Sequence, residues 1–273
     1  MHPIAMEHQS SAFEIQPWLN YDGSFFVSEN MIRIRCLSMM IKIAMVSLVL
    51  SCNKQPAAIA GGTIALPPLP TDTSLRHYLA LGDSYTIGES VPIVDRYPVI
   101  TTGILKAGGM SIAEPEIIAR TGWTTGELQA AINSTSFKFS YDIVTLLIGV
   151  NNQYRGSSID LYRQEFGQNL KNAIQLARGK ADHVIVLSIP DYSVTPFGQS
   201  ADPKKTGTEL AAFNQVNKEI SETLGVNYLD VTSDSKKALN DPSMVAGDGL
   251  HYSGKMYRLW AEKLAVIIKT RLL

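Results

Sequence analysis

Residues 77–84 read His-Tyr-Leu-Ala-Leu-Gly-Asp-Ser. An apolar run that stops at Gly-Asp-Ser has the form of a buried strand emptying into a turn, with room for a helix behind it. Working outward, the same form recurs at Glu116–Arg120, Asp142–Gly149, His183–Ile189 and Val226–Val231, each a short apolar run. Between and after these runs lie segments of helical period: Tyr97–Ala107, Thr125–Ile132, Ile159–Ala177, Gly207–Leu224 and Gly254–Leu272. The last two carry apolar residues three and four apart, as a helix lying on a sheet requires. Strands alternating with helices predict βαβ units and an α/β fold with a mainly parallel, five-stranded sheet.

The 273 residues, 45% hydrophobic and 18% charged, suffice for one globular domain. A net charge of −1 with no basic stripe argues against nucleic acid as a partner. Only Cys36 and Cys52 are present, so neither a disulfide framework nor a metal site is indicated. Lys42 precedes the apolar run Ile43–Leu50, which is too short to span a bilayer and closes on Ser51-Cys52. That order is similar to the lipobox of bacterial lipoproteins, which implies Cys52 as a lipid anchor to a membrane of the cell envelope. Residues 1–51 then read as an upstream leader and signal peptide, with translation starting near Met31 or Met39. Residues 52–74, rich in Pro, Gly, Ala and Thr, read as a flexible tether, and residues 75–273 as the folded domain.

An open sheet covered on both faces binds ligands beyond the carboxyl ends of its strands. Asp83-Ser84, Thr121-Gly122, Asn151-Asn152 and Pro190-Asp191 stand there, with Asp248 and His251 in the loop after the fifth run. A serine hydroxyl needs a base to become a nucleophile. His2 and His8 precede the apolar leader, and His77 and His183 begin strands at the opposite edge, so elimination leaves His251. Asp248, three residues earlier, is close enough to orient its imidazole. Gly122 N–H, the Asn151 amide and Ser84 N–H are available as oxyanion donors. Taken singly, Ser84 is an ordinary helix cap and Asn151-Asn152 and Asp248-Gly249 are ordinary turns. Their convergence on one edge favours catalysis.

Four ordered blocks make the chain similar to the SGNH (GDSL-like) hydrolases: Gly82-Asp83-Ser84, Gly122 in Arg120-Thr-Gly-Trp-Thr-Thr125, Asn151 in Gly149-Val-Asn151, and Asp248-Gly249-Leu250-His251. The resemblance implies a three-layer α/β/α sandwich and cofactor-free hydrolysis of esters or thioesters. It assigns Ser84, His251 and Asp248 as the catalytic residues and Ser84, Gly122 and Asn151 as the oxyanion hole. Tyr85 stands where many members have Leu, and Asn152 where Asp is usual. Asp83, Trp123, Asn152, Tyr154 and Asp191 are expected to line the substrate site, with Arg155, Tyr192 and Phe197 in neighbouring loops. No His/Cys/Asp/Glu cluster has metal-ligand spacing and no phosphate loop occurs, so no cofactor is expected. The competing readings are a carbohydrate O-acetyl esterase and a surface lipoprotein that binds glycan without turnover.

Overall fold

The computed structural model describes residues 75–273. The strands β1 (Tyr78–Gly82), β2 (Glu116–Ala119), β3 (Ile143–Leu147), β4 (Val184–Leu187) and β5 (Asn227–Leu229) form one sheet in the order β2-β1-β3-β4-β5. Every pairing is parallel, with Gly82 opposite both Ala119 and Leu147. β1, β3 and β4 are buried along their whole length, which is why they read as unbroken apolar runs. The edge strand β2 is only half-buried.

In chain order the helices are α1 (Ser84–Ile87), α2 (Tyr97–Ala107), α3 (Thr125–Ser134), α4 (Val150–Tyr154), α5 (Ile159–Leu176), α6 (Pro196–Gln199), α7 (Pro203–Thr223), α8 (Thr232–Ser235) and α9 (Gly254–Leu272). α2 packs on α9, and α5 packs between α3 and α7. The crossover from β1 to β2 runs one way along the sheet and all later crossovers run the other, so right-handed connections place α2 and α3 on opposite faces. The result is a three-layer α/β/α sandwich. α9 buries Met256, Tyr257, Trp260, Ala261, Leu264 and Ile268, a single stripe at three- and four-residue spacing. Burying each large apolar side chain of that stripe contributes about 1.5–3 kcal/mol.

Caps fix where the helices begin. α3 opens on a capping box, with the Thr124 hydroxyl accepting from the Glu127 amide and the Glu127 carboxylate accepting from the Thr124 amide. α7 begins at Pro203, four residues before the sequence pattern predicts. Asp202 accepts from Lys205 N–H at 3.0 Å and Pro203 supplies the preset first-turn dihedral, so the helix starts before its apolar periodicity does. The leader, Cys52 and the tether lie outside the described residues.

The strand order has its switch point between β1 and β3, where crevices open in sheets of this topology. Gly82 ends β1 there because nothing larger fits. A Cβ on it would collide with the Thr86 hydroxyl and with the carbonyl oxygen of Leu147 on the neighbouring strand. A paired strand carbonyl cannot move aside. Gly82→Ala is therefore expected to lower unfolding free energy by about 1–3 kcal/mol, read from the urea midpoint. An unchanged midpoint would show that the β1–β3 contact is looser than this packing requires.

Candidate active site

The polypeptide turns sharply after β1, and Asp83 caps α1 through its Oδ1, which accepts from Tyr85 N–H at 3.0 Å. That cap leaves Ser84 as the first helical residue, at the mouth of a 210 Å³ cleft. The segments that follow the strands deliver residues to this cleft. Ser84 and Tyr85 follow β1, Thr121 and Gly122 follow β2, and Val150, Asn151 and Tyr154 follow β3. Tyr192 and Phe197 follow β4, while Leu250 and His251 come from the long loop between β5 and α9.

His251 Nδ1 lies 2.6 Å from Asp248 Oδ2. A carboxylate oxygen only accepts, so this bond places the proton on Nδ1 and leaves Nε2 as the basic nitrogen. Asp248 Oδ1 accepts from the backbone N–H groups of Leu250 and His251, each at 2.9 Å, which locks the turn. Burial pushes the Asp248 carboxyl up. The hydrogen bonds from Ser90, His251 and the two amides outweigh it and hold the group well below the usual carboxylate range. Of the other described histidines, His77 stacks on Phe139 at 4.3 Å, and His183 Nδ1 is 2.7 Å from the Asp142 carbonyl oxygen. Both stand at the amino ends of strands.

The loop carrying Gly122 is held by α4 and the residue behind it. Gly122 has φ +87°, a conformation that favours glycine, and its carbonyl accepts from Arg155 Nη2 at 2.6 Å. The next carbonyl, of Trp123, accepts from Asn151 Nδ2 at 2.9 Å. Asn152 accepts from Thr125 N–H at 2.9 Å and donates to the Thr125 hydroxyl at 2.7 Å. Three side chains from one short stretch thus fix Gly122, Trp123 and Thr125. Gly122 N–H and the second N–H of the Asn151 amide are consequently carried by one connected unit.

Residues 80–259 match the family model of the GDSL-like Lipase/Acylhydrolase family. The chain belongs to that family. It is accordingly a carboxylic ester hydrolase of the esterase/acylhydrolase type. Among curated proteins no sequence relative is found. Among solved structures, TesA superposes with a TM-score of 0.59 at 16% identity, covering 72% of this chain and 100% of that one. A lipase/acylhydrolase from Enterococcus faecalis gives 0.58 at 20% identity, covering 72% and 97%. An acetyl xylan esterase from Geobacillus stearothermophilus gives 0.54 at 18% identity, covering 72% and 96%. At such identities the likeness concerns the fold.

Within this GDSL-like domain, the structure brings Ser84, Gly122, Asn151 and His251 to one cleft, with Asp248 behind His251. The expected substrate-lining set fares differently, for only Tyr154 of its five residues faces the cleft. Asp83 is wholly buried as the α1 cap, and Asn152 is spent on Thr125. Trp123 packs partly buried against the core. The buried Asp191 carboxylate accepts from Ser193 N–H at 3.1 Å to cap its own turn. Tyr192 and Phe197 do line the cleft, whereas Arg155 serves the Gly122 loop. Thr121, expected at the end of β2, lines the cleft as well, while Tyr85, Val150 and Leu250 were not anticipated, although each is a direct neighbour of an expected residue.

Asp83 has a measurable consequence. Burial raises its pKa from 3.8 to about 7, against the pull of the Tyr85, Asp83 and Gly149 amides. Between these values the folded protein binds the proton and the unfolded chain does not, so stability falls as pH rises through the window. The slope amounts to at most about 1.4 kcal/mol per pH unit and flattens above pH 7. Asp83→Asn mimics the neutral acid and should match the parent near pH 4 but exceed it at pH 8 in urea titrations. A parent-minus-variant difference independent of pH would refute a protonated Asp83.

Proposed function

We propose that this domain hydrolyses uncharged acyl esters through a covalent acyl-enzyme. Ser84 Oγ attacks the ester carbonyl carbon while His251 Nε2 takes its proton, and the imidazolium so formed is held by Asp248. The carbonyl oxygen becomes an oxyanion that accepts from Ser84 N–H, Gly122 N–H and the Asn151 amide. Collapse expels the alcohol, which receives the proton from His251. Water, deprotonated by the same nitrogen, then attacks the acyl carbon, releasing the acid and restoring Ser84. The observation that carries this reading is the 2.6 Å His251–Asp248 bond beside a cleft that Ser84, Gly122 and Asn151 also line.

The cleft walls support an apolar acyl group. Val150 and Leu250 line it, and Phe197 sits 6.3 Å from both the Tyr154 and the Tyr192 ring. Among the described residues His251 is its only Lys, Arg, His, Asp or Glu side chain, which disfavours a charged acyl moiety. A series of p-nitrophenyl esters tests the proposal, with turnover expected on neutral acyl chains. Absence of turnover on any ester would contradict it. A second reading, carbohydrate O-acetyl esterase, draws on Tyr154 and Phe197, which are 63% and 41% exposed and could stack against a sugar ring. The relevant contrast is acetylated oligosaccharide against long-chain ester, with Tyr154→Ala and Phe197→Ala as variants. On the first reading these changes raise KM most for the longer acyl chains. A raised KM confined to acetylated sugars would favour the second. A pure glycan binder has no need for Ser84, His251 and Asp248 together.

The lipid anchor rests on the sequence alone. We propose that Cys52 becomes the acylated first residue of an envelope lipoprotein. Intact-mass analysis of protein produced in a bacterial host should find a diacylglyceryl-modified Cys52 partitioning into detergent. A mature product cleaved elsewhere would contradict the anchor.

A further inference from the structure

Ser90 is placed oddly for an exposed serine. It follows Gly88, which closes α1, and has φ +64°. Among the described residues Arg178 is its only non-glycine companion in the left-handed region. Glycine or asparagine would hold that conformation with less strain. The Ser90 hydroxyl donates to Asp248 Oδ2 at 2.6 Å, across a separation of 158 residues. That oxygen is also the one His251 Nδ1 approaches at 2.6 Å. Glu89 beside it donates its backbone N–H to the Ser84 carbonyl at 3.0 Å and accepts from the Thr121 hydroxyl through its carboxylate. Two consecutive residues therefore touch the Ser84 backbone, the segment leading into Gly122, and the Asp248–His251 pair.

We propose that Ser90 is a positioning residue for ester hydrolysis, holding the Asp248 carboxylate in the orientation that receives His251 Nδ1–H and sharing with His251 the charge on Oδ2. This rests on the reading of Ser84, His251 and Asp248 given above. A carboxylate oxygen that accepts two hydrogen bonds presents less free charge to the imidazolium than one that accepts a single bond. Removing the Ser90 hydroxyl thus strengthens the pull of Asp248 on the protonated His251 and loosens its geometry.

Few other groups compete for that effect. From α1 the Tyr85 ring meets the His251 ring edge-on at 5.7 Å, and from α9 the Tyr257 phenol lies within electrostatic reach of Asp248. Burial pushes both phenols up, so neither carries charge at neutral pH. Among the described residues the only ion-pair partner of Asp248 is His251, and the Glu89 carboxylate is engaged by Thr121.

The test compares Ser90→Ala, Ser90→Gly and Ser90→Thr by the pH profile of kcat/KM on a p-nitrophenyl ester, together with thermal midpoints. Ser90→Gly fits the backbone and is expected to melt no lower than the parent, yet to lose about 10-fold in kcat with KM little changed. Its acidic limb should move to higher pH. Ser90→Ala should behave alike in catalysis, whereas Ser90→Thr keeps the hydroxyl and the parental limb, even if strain lowers its midpoint. In an Asp248→Asn background, Ser90→Gly should add little further loss, as coupling through one carboxylate requires. An unmoved acidic limb with kcat within about twofold of the parent in Ser90→Gly would overturn the inference, leaving only a structural hydrogen bond. Should Ser84→Ala remain active, the underlying site assignment fails instead, and the two failures are distinguishable.

Discussion

Ser84→Ala should leave a folded protein that no longer hydrolyses esters, with kcat lowered by roughly 10⁵–10⁶-fold. Its hydroxyl borders the cleft and not the hydrophobic core, so truncation removes a reacting atom with little packing. The α1 cap and the Gly82 contact are untouched, because they depend on the Asp83 side chain and the strand backbone. Residual rate would come from the oxyanion donors and from substrate orientation, which the substitution spares. The thermal midpoint should stay near the parental value. A folded Ser84→Ala protein with near-normal turnover would remove Ser84 from the mechanism.

Asp248→Asn should cut kcat by about 10⁴-fold, less than Ser84→Ala, while KM changes little. An amide in place of Oδ2 can turn an N–H toward His251 Nδ1, selecting the tautomer with its proton on Nε2, where the base is needed. The imidazolium formed during attack also loses its compensating charge. His251 remains present as a poorly oriented base, which is why the loss is the smaller of the two. Asp191→Asn serves as the control. Its carboxylate caps the 192–194 turn and stands 3.9 Å from Lys236, with no hydrogen bond to His251, so turnover should persist. A dead Asp191→Asn beside a fully active Asp248→Asn would exchange their assignments.

The pattern of what could be read from sequence follows from burial. β1, β3 and β4 are covered on both faces, so their apolar runs carry the whole signal. Each starts one residue inside its expected bound, and β3 and β4 end two residues early, because His77, Asp142 and His183 belong to approaches and Gly149 to the turn beyond β3. α1, α4, α6 and α8 have four or five residues each, too few for a periodic stripe to show. Three of them, α1, α4 and α6, nonetheless seat Ser84, Asn151 and Phe197.

The site divides along a similar line. The places of Ser84 and His251 at the cleft, with Asp248 bonded to His251, could be read ahead because a strand end and a three-residue spacing restrict where those side chains can go. Asp83, Asn152 and Asp191 stand at equivalent strand ends, yet Asp83 and Asp191 turn back to a backbone N–H two residues on and Asn152 reaches across to that of Thr125. Local sequence does not say whether a short polar side chain faces a cleft or caps its own turn. Ser90 lay beyond reach for another reason, since only the folded chain brings it to Asp248.

On the proposed mechanism, one serine forms the acyl-enzyme. Incubation with an alkyl p-nitrophenyl phosphonate, followed by intact mass and peptide mapping, would trap that serine. One adduct per chain is expected, located on Ser84, forming in step with loss of esterase activity and absent from Ser84→Ala. Inactivation with the adduct on another residue, or full activity retained by protein stoichiometrically labelled at Ser84, would contradict it.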